Sequence, residues 1–177
     1  MVDAILNENL QGKTLLELGT GSGAISISIA QENKDCFIFA TDISIKSILV
    51  AKQNAEKFCC ENIIFLNHDW NSDWLFPQVD YLISNPPYVN KEATTGKEEG
   101  IWHEPEKALF SKDKGLSDLK LILTKGKNFL NENGKVYLEH APDQYEELNK
   151  FAVEKGYPNF SNLNDLNGDK RVSIYQC

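Results

Sequence analysis

The sequence predicts an α/β domain in which a mostly parallel sheet is covered by helices on both faces. Apolar segments of strand length alternate with longer amphipathic segments along the 177 residues, which is typical of repeated strand and helix units. A glycine loop separates the first apolar run from the first amphipathic segment, where a strand would turn into a helix. The sequence shows no repeat, low-complexity tract or linker, and we expect residues 1–177 to form a single domain.

The apolar runs place five strands in the body of the domain. They are expected near residues 13–18, 36–41, 62–66, 79–84 and 134–139. The apolar-rich segment 24–31 follows the glycine loop and predicts the first connecting helix. The segment from Ser44 to Phe58 carries apolar residues at helical spacing and starts with a serine cap, so it should connect the second and third strands.

The second half of the chain predicts two more helices and a hairpin. One helix is marked by apolar residues that end before a turn at Asn133 and Gly134: Leu116, Leu119, Ile122, Leu123 and Leu130. The next spans about Asp143 to Lys155, with Gly156 as its stop. Residues 160–166 and 172–175, joined by Asn167 and Gly168, predict an antiparallel hairpin at the end of the sheet.

The glycine loop predicts a binding site for a nucleotide-like cofactor. Gly19, Gly21 and Gly23 lie at alternate positions, which lets the backbone turn tightly and approach a ligand, and the following helix start presents free N–H groups. Asp42 ends the next apolar run, where its carboxylate could accept hydrogen bonds from ribose hydroxyls. These features alone also fit an NAD-dependent oxidoreductase.

The sequence Asn85-Pro86-Pro87-Tyr88 after the fourth strand predicts a site for a planar NH2 group. Two consecutive prolines fix the backbone in one extended shape. In that shape the Asn85 side-chain carbonyl and the Pro86 backbone carbonyl could each accept one hydrogen of the NH2 group. Tyr88 would offer a flat face to an amide or base. A tight turn capped by an asparagine is the structural alternative.

In an open α/β sheet these strand ends share one crevice, and their combination resembles the S-adenosylmethionine-dependent methyltransferases. Within them the chain is similar to the release factor glutamine N5-methyltransferases. The resemblance implies a Rossmann-like class I methyltransferase domain with a seven-stranded sheet. Further matching segments are the helix Val2–Leu6, His68-Asp69-Trp70, Glu104-Pro105 with Ala108-Leu109, Gly115-Leu116, Leu138-Glu139-His140 with Gln144, and Asp169 with Arg171.

The resemblance assigns roles to residues at the matching positions. It implies S-adenosylmethionine as cofactor and peptide chain release factors as protein substrate. The residues implied at the cofactor are Glu17, Gly19, Thr20, Gly21 and Gly23 at the methionine end, Asp42 at the ribose, Ile43, Asp69 and Trp70 at the adenine, and Asn85. Asn85, Pro86 and Tyr88 would be catalytic, and Pro87 and Glu104 would complete the acceptor pocket. Core packing of Trp70 and a solvated Glu104 are the structural alternatives.

Composition favours a protein or a small molecule as substrate over a nucleic acid. The net charge is −8, whereas phosphate binding needs clustered Lys and Arg. No apolar run approaches the roughly 20 residues of a membrane span, and no secretory signal is recognisable, so a cytoplasmic location is expected. We also expect a monomer. The four cysteines show no C-x-x-C spacing and are expected to be reduced, and the three histidines show no metal-ligand spacing, so no metal is predicted.

Several alternatives share part of the pattern. A glutamine methyltransferase of a ribosomal protein would share nearly every motif, and an adenine N6 methyltransferase of nucleic acid would share the Asn-Pro-Pro-Tyr sequence. An inactive cofactor-binding remnant is the alternative without catalysis. The resemblance covers the catalytic domain and not the helical domain that precedes it in the family, and Trp102 and His103 depart from the family pattern before Glu104. The charged segment Asn90 to Glu99 predicts a surface loop beside the site, either a lid or a plain solvated loop.

Overall fold

The computed structural model describes residues 1–90, 110–111 and 115–177. In chain order the strands β1 to β9 are Thr14–Leu18, Phe37–Asp42, Ile63–Asn67, Val79–Ser84, Val89–Asn90, Phe110–Ser111, Leu130–Glu139, Asn159–Asn164 and Lys170–Gln176. The helices α1 to α5 are Val2–Leu6, Ala24–Glu32, Ile45–Lys57, Ser117–Gly126 and Tyr145–Glu154, and a short 3-10 helix covers Pro142–Gln144. None of the helices in these described ranges has the length and hydropathy needed to cross a membrane.

Seven of the strands form one sheet, in the order β3-β2-β1-β4-β7-β9-β8. The five strands from β3 to β7 in this order are parallel, and β9 is antiparallel to both β7 and β8. The predicted mostly parallel sheet with a terminal antiparallel hairpin is confirmed. Because the chain runs from β1 outward to β3 and then returns to β4 on the other side of β1, the topological switch point lies between β1 and β4.

Side chains on successive residues of the central strands enter two separate cores, as the alternation of a strand requires. Leu15, Ile38 and Ile83 pack with α1 and α2, whereas Leu16 and Leu82 pack with α4 and α5. The helix α3 covers the first face as well, where its buried residues meet α2 and β2: Ile48, Ala51 and Ala55 against Ile27 and Ala40. Helices therefore cover both faces, and continuous apolar runs such as β1 follow from that double burial.

The helix α4 lies very close to the sheet. A Cβ added to Gly126 in its last turn would be 2.5 Å from Leu82 Cδ2 of β4, so a larger residue would have to displace the Leu82 side chain. Leu119, Ile122 and Leu123 fill the same core from the rest of the helix. This close packing fixes α4 relative to the ends of β1 and β4.

The boundary between α4 and β7 differs from the sequence prediction. The helix ends at Gly126 and Leu130 already belongs to β7, whereas the sequence predicted a helix through Leu130 and a turn at Asn133 and Gly134. Asn133 does adopt a left-handed conformation, with φ of 63°, but it does so inside the strand. The register between β4 and β7 shifts there, from Val79 beside Leu130 to Tyr81 beside Lys135. Residues 131–134 thus lie opposite the single residue Asp80, an irregularity of the pairing in which Asn133 takes the left-handed conformation that is also common in turns.

The terminal hairpin is confirmed at its predicted position. Gly168 has a φ of +90° in the turn between β8 and β9, a conformation that glycine adopts without strain. The Asp165 carboxylate accepts hydrogen bonds from the backbone N–H groups of Asn167 and Asp169, at 2.9 and 3.0 Å. Those bonds, the one from Asp169 first, lower the pKa of Asp165 below its usual value.

Candidate functional site

The register of the sheet brings three of the predicted site residues together. Leu18, the last residue of β1, pairs with Thr41 on one side and with Ser84 on the other. The residues that follow these three are Gly19, Asp42 and Asn85, so the glycine loop, the carboxylate and the asparagine leave the sheet side by side. The Ser84 hydroxyl also donates to the Leu18 carbonyl at 2.8 Å, which ties the ends of β1 and β4 together.

The glycine loop is held against the end of β2 by backbone hydrogen bonds. The N–H groups of Gly19 and Thr20 both donate to the Thr41 carbonyl at 2.8 Å. The Asp42 carboxylate accepts from the Gly21 N–H at 2.9 Å and from the Ser44 N–H at 2.8 Å. Each carboxylate oxygen of Asp42 thus has one N–H partner, and since each can accept a further bond, ribose hydroxyls fit the same group.

The three glycines of the loop meet different surroundings. All three have positive φ, and a Cβ on Gly19 would be 3.1 Å from Trp70 Cζ3. A Cβ on Gly23 would be 3.1 Å from Ala51 Cβ, so this glycine allows α2 to approach α3. A Cβ on Gly21 would meet nothing within 4 Å and would project into open space. The tip of the loop at Gly21 is therefore open on the side where a Cβ would lie.

Glu17 is a buried carboxylate beneath the loop. It is 1% exposed, and its Oε2 accepts hydrogen bonds from the Thr20 hydroxyl at 2.7 Å and from the Ser26 hydroxyl. Burial raises the pKa of Glu17 above its usual value of 4.5 and outweighs these hydrogen bonds, which act in the opposite direction. In this structure Glu17 joins the loop to α2, and its predicted place at the methionine end of the cofactor stays a prediction.

The Asn-Pro-Pro-Tyr segment leaves β4 with its first residue turned outward. Asn85 is exposed, whereas Pro86 and Pro87 are buried and fix the path of the backbone. The Tyr88 hydroxyl donates to Glu139 Oε1 at 3.1 Å. Burial, reinforced by the Glu139 charge, raises the pKa of Tyr88 to about 12. Tyr88 therefore remains a neutral phenol at physiological pH.

The Tyr88 backbone is clamped from two directions. Gln144 is buried; its Nε2 donates to the Tyr88 carbonyl at 2.8 Å and its Oε1 accepts from the Ala141 N–H at 2.9 Å. Gly115, with φ of +86°, passes so close that an added Cβ would overlap both the Tyr88 carbonyl oxygen and Gln144 Nε2. Gly115 and Gln144 were noted in the sequence only as matching positions, and the structure gives each a contact.

The residues predicted at the adenine lie after β2 and β3. Ile43 is 59% exposed beside Asp42, and Asp69 Oδ1 accepts from the backbone N–H and the side-chain amide of Asn71 at 2.9 and 2.8 Å. Those bonds lower the pKa of Asp69. Trp70 is half-buried against Gly19, and its Nε1–H donates to Asp118 Oδ1 at 3.2 Å.

Some of the predicted residues lie outside the described part of the chain. Other residues contact the site although nothing in the sequence indicated them. Glu104, Trp102, His103 and segment 91–99 lie outside the described residues. Asp118 and Lys125, both on α4, were not predicted, although they bind Trp70 and the residues after it. Their spacing of seven on a helix is that of any solvated face, so no pattern distinguishes them.

The structure resembles known methyltransferase structures. A methyltransferase from Pyrococcus furiosus superposes with a TM-score of 0.72 at 20% identity, over 98% of this chain and 80% of that one. Coclaurine N-methyltransferase bound to N-methylheliamine and SAH superposes with a TM-score of 0.55 at 17% identity, over 78% of this chain and 36% of that one. At these identities the likeness concerns the fold, which is that of class I methyltransferases.

Two curated proteins are similar over nearly the whole chain. A bifunctional methyltransferase of Rickettsia conorii is 37% identical over 174 residues, which are 96% of this chain and 33% of that protein. The release factor glutamine methyltransferase of Escherichia coli K12 is 32% identical over 160 residues, which are 90% of this chain and 58% of that protein. The chain thus spans only part of the length of these relatives.

A family model extends the comparison to a whole family of domains. The model of the methyltransferase small domain matches residues 2–113, which are more than half of the chain. Its match includes the glycine loop, Asp42 and the Asn-Pro-Pro-Tyr segment. The family and its fold imply S-adenosylmethionine as the cofactor. The chain therefore belongs to the methyltransferase small domain family.

Proposed function

We propose that this chain transfers a methyl group from S-adenosylmethionine to the side-chain amide nitrogen N5 of the glutamine in the Gly-Gly-Gln motif of peptide chain release factors. The observation that carries the proposal is the rigid Asn-Pro-Pro-Tyr segment, which presents Asn85 beside the glycine loop at the switch point of the sheet. The name of the Escherichia coli relative supports this choice of acceptor.

Asn85 and Pro86 would bind the acceptor amide. The Asn85 side-chain carbonyl and the Pro86 backbone carbonyl each accept one hydrogen of the glutamine NH2 group, which fixes the plane of the amide. An amide nitrogen is a weak nucleophile because its lone pair is delocalised into the carbonyl. Two acceptors aimed at the NH2 hydrogens favour the positive charge that develops on nitrogen during methyl transfer, and they cost no reorganisation if they are already in place.

Tyr88 would supply a fixed flat face and not a base. Its hydroxyl is bound to Glu139, and its pKa of about 12 keeps the proton on the phenol oxygen at neutral pH. A protonated phenol cannot accept the amide proton, so that proton leaves to water after the methyl group has transferred. Catalysis by this site rests on alignment of the reacting groups.

The residues around the glycine loop fit S-adenosylmethionine. The cofactor supplies an electrophilic methyl group on a sulfonium sulfur. Gly21 faces open space, Asp42 keeps acceptor capacity for ribose hydroxyls, and exposed Ile43 offers an apolar surface for a base. Gly19, Thr20 and Gly23 shape the loop, and Asp69 and Trp70 follow the neighbouring strand. Glu17 holds the loop from beneath.

Replacing Gly21 with alanine tests the cofactor site directly. We expect Gly21→Ala to raise the Kd of S-adenosylmethionine at least tenfold, because the methyl group enters the open space at the tip of the loop. Gly12→Ala is the matched control, since Gly12 has a similar φ of +67° and also meets nothing within 4 Å, but lies before β1 at the other end of the sheet. Both variants should lose about 1–2 kcal/mol of unfolding free energy, because alanine is strained at a positive φ. Titration calorimetry would measure the Kd of S-adenosylmethionine for both variants. Equal Kd values for Gly21→Ala and Gly12→Ala would contradict the assignment.

The proposed acceptor is tested by mass spectrometry of methylated substrates. A release factor, ribosomal proteins and DNA would each be incubated with the chain and S-adenosylmethionine. A single methyl group on the glutamine of the Gly-Gly-Gln motif is the expected product, and a Gln→Asn change in that motif should abolish it. Methylation of only a ribosomal protein or DNA would overturn the acceptor assignment. Bound cofactor without methylation of the release factor would contradict the proposed activity.

A further inference from the structure

Three consecutive backbone carbonyls converge on the side chain of Lys125. The Lys125 ammonium donates to the carbonyl oxygens of Trp70, Asn71 and Ser72 at 2.9, 2.9 and 2.7 Å. An ammonium group has three N–H donors, so these bonds use its whole capacity. Lys125 lies in the last turn of α4, more than 50 residues along the chain from its acceptors.

The convergence depends on a positive charge at that point. Three carbonyl dipoles that point at one another repel unless a cation or several donors lie between them. The only other bond to these carbonyls among the described contacts comes from Trp74, whose Nε1–H donates to the Trp70 carbonyl at 2.9 Å. Without Lys125, water would have to replace the ammonium at the exposed carbonyls of Asn71 and Ser72, and segment 70–72 would lose three bonds to α4.

The same segment borders the proposed cofactor site on two sides. The Trp70 ring lies against Gly19, and its Nε1–H is bound by Asp118 in the first turn of α4. Two residues before Trp70, the His68 N–H donates to the Asp42 carbonyl at 3.0 Å. The Trp70 ring thus lies beside the glycine loop, and the chain just before it is bonded to the end of β2. The first turn of α4 binds this segment through Asp118, and the last turn binds it through Lys125.

The geometry points to Lys125 as a positioning residue for the cofactor: it fixes segment 70–72, and through the Trp70 ring it fixes Gly19 of the glycine loop. Lys125 itself makes no contact with Gly19 or Asp42 among the described hydrogen bonds, so its effect on the cofactor passes through the segment that it binds. Lys125 would therefore act indirectly, through segment 70–72. It would change the affinity for the cofactor and not the rate of the chemical step.

The test compares two lysines at the end of α4. Lys125→Met keeps the length and apolar stem of the side chain but removes all three donors. Lys127→Met is the matched control, because the Lys127 ammonium donates to one carbonyl, that of Gly156 at 2.5 Å, on a different loop. We expect Lys125→Met to raise the Kd of S-adenosylmethionine and of S-adenosylhomocysteine about tenfold, measured by titration calorimetry. Lys127→Met should leave both Kd values within twofold of wild type.

Hydrogen exchange separates this role from a general loss of stability. Exchange of the backbone amides of residues 69–75 should accelerate in Lys125→Met and stay unchanged in Lys127→Met, and the turnover rate at saturating cofactor should stay within twofold. If Lys125→Met does not fold, Lys125→Gln, which keeps two donors, should give an intermediate Kd. Wild-type Kd values in the folded variants, or equal increases in both lysine variants, would overturn the inference.

The inference rests on the cofactor half of the proposed function. Calorimetry with the cofactor needs no methyl acceptor, so the experiment gives its answer even if release factors are not the substrate. If wild-type protein bound no S-adenosylmethionine, the proposed function would fail first and independently of Lys125. If wild-type protein binds the cofactor and the variants do not differ, only the role of Lys125 fails.

Discussion

Asn85→Ala is expected to lower the single-turnover rate of methyl transfer by about 100- to 1,000-fold, the usual effect of removing one preorganised group that stabilises developing charge. The Kd of S-adenosylmethionine should change by less than threefold. Asn85 is exposed, and among the described residues no hydrogen bond engages its amide, so the truncation should leave the fold intact. Rapid-quench kinetics with a release factor and titration calorimetry would measure the two quantities.

Asn85→Asp is the companion variant that separates the acceptor oxygen from the rest of the amide. An aspartate keeps an acceptor oxygen at the same position, so it should retain more of the rate than alanine does. Unfolding in urea should give both variants within about 0.5 kcal/mol of wild type, as for other surface substitutions. Equal losses in rate and cofactor affinity for Asn85→Ala would show that Asn85 binds the cofactor and does not direct the acceptor.

Gly115→Ala is expected to have the largest effect on stability, a loss of about 2–5 kcal/mol of unfolding free energy. Two costs add: a left-handed backbone for a residue with a Cβ, about 1–2 kcal/mol, and overlap with rigid neighbours, about 1–3 kcal/mol. The neighbours are the Tyr88 carbonyl oxygen and Gln144 Nε2, and neither can retreat without breaking their mutual bond. Methyl transfer should also slow, because the backbone that carries Asn85 would shift.

Gly168→Ala isolates the backbone cost from the overlap. Gly168 has a φ of +90°, close to the +86° of Gly115, but a Cβ there would meet nothing within 4 Å. It should lose only about 1–2 kcal/mol and keep full activity, since it lies in the turn of the terminal hairpin. Urea unfolding would measure the loss of unfolding free energy in both variants. An equal loss for Gly115→Ala and Gly168→Ala would mean that Gly115 does not constrain Tyr88.

Much of the fold and the central site followed from the sequence, because their signals are local. The parallel strands β1 to β4 are mostly apolar, and the three site motifs lie at or directly after the ends of β1, β2 and β4. The regular register of a parallel sheet then brings Gly19, Asp42 and Asn85 to one edge. Neither step needs knowledge of side-chain packing.

The predicted boundary between α4 and β7 was wrong because the spacing of apolar residues there fits both a helix and a strand. Leu130 follows Leu123 at a helical interval of seven, yet it is also the first residue of a buried strand. Asn133-Gly134 is a strong turn signal, and the backbone does take the left-handed conformation at Asn133. Whether such a residue reverses the chain or bulges a strand depends on pairing with β4, which is a tertiary contact.

The side-chain hydrogen bonds that hold Tyr88 and segment 70–72 could not be predicted for a related reason. Gln144 and Tyr88 are 56 residues apart, and Lys125 and Trp70 are 55 residues apart. A glutamine after a strand or a lysine near a helix end is common, so neither residue type indicates its partner. Such contacts follow only from the docking of α4 and α5 on the sheet.

The position of α4 has a consequence for attempts to redesign the acceptor. Its first turn follows Gly115, which touches the Tyr88 backbone, and the same turn carries Asp118, which binds Trp70. A library that varies this helix to accept a new substrate would therefore also disturb the proposed cofactor site. Selection for a new acceptor should be easier through exposed positions near Asn85 than through α4, since this helix contacts segments of both proposed binding sites.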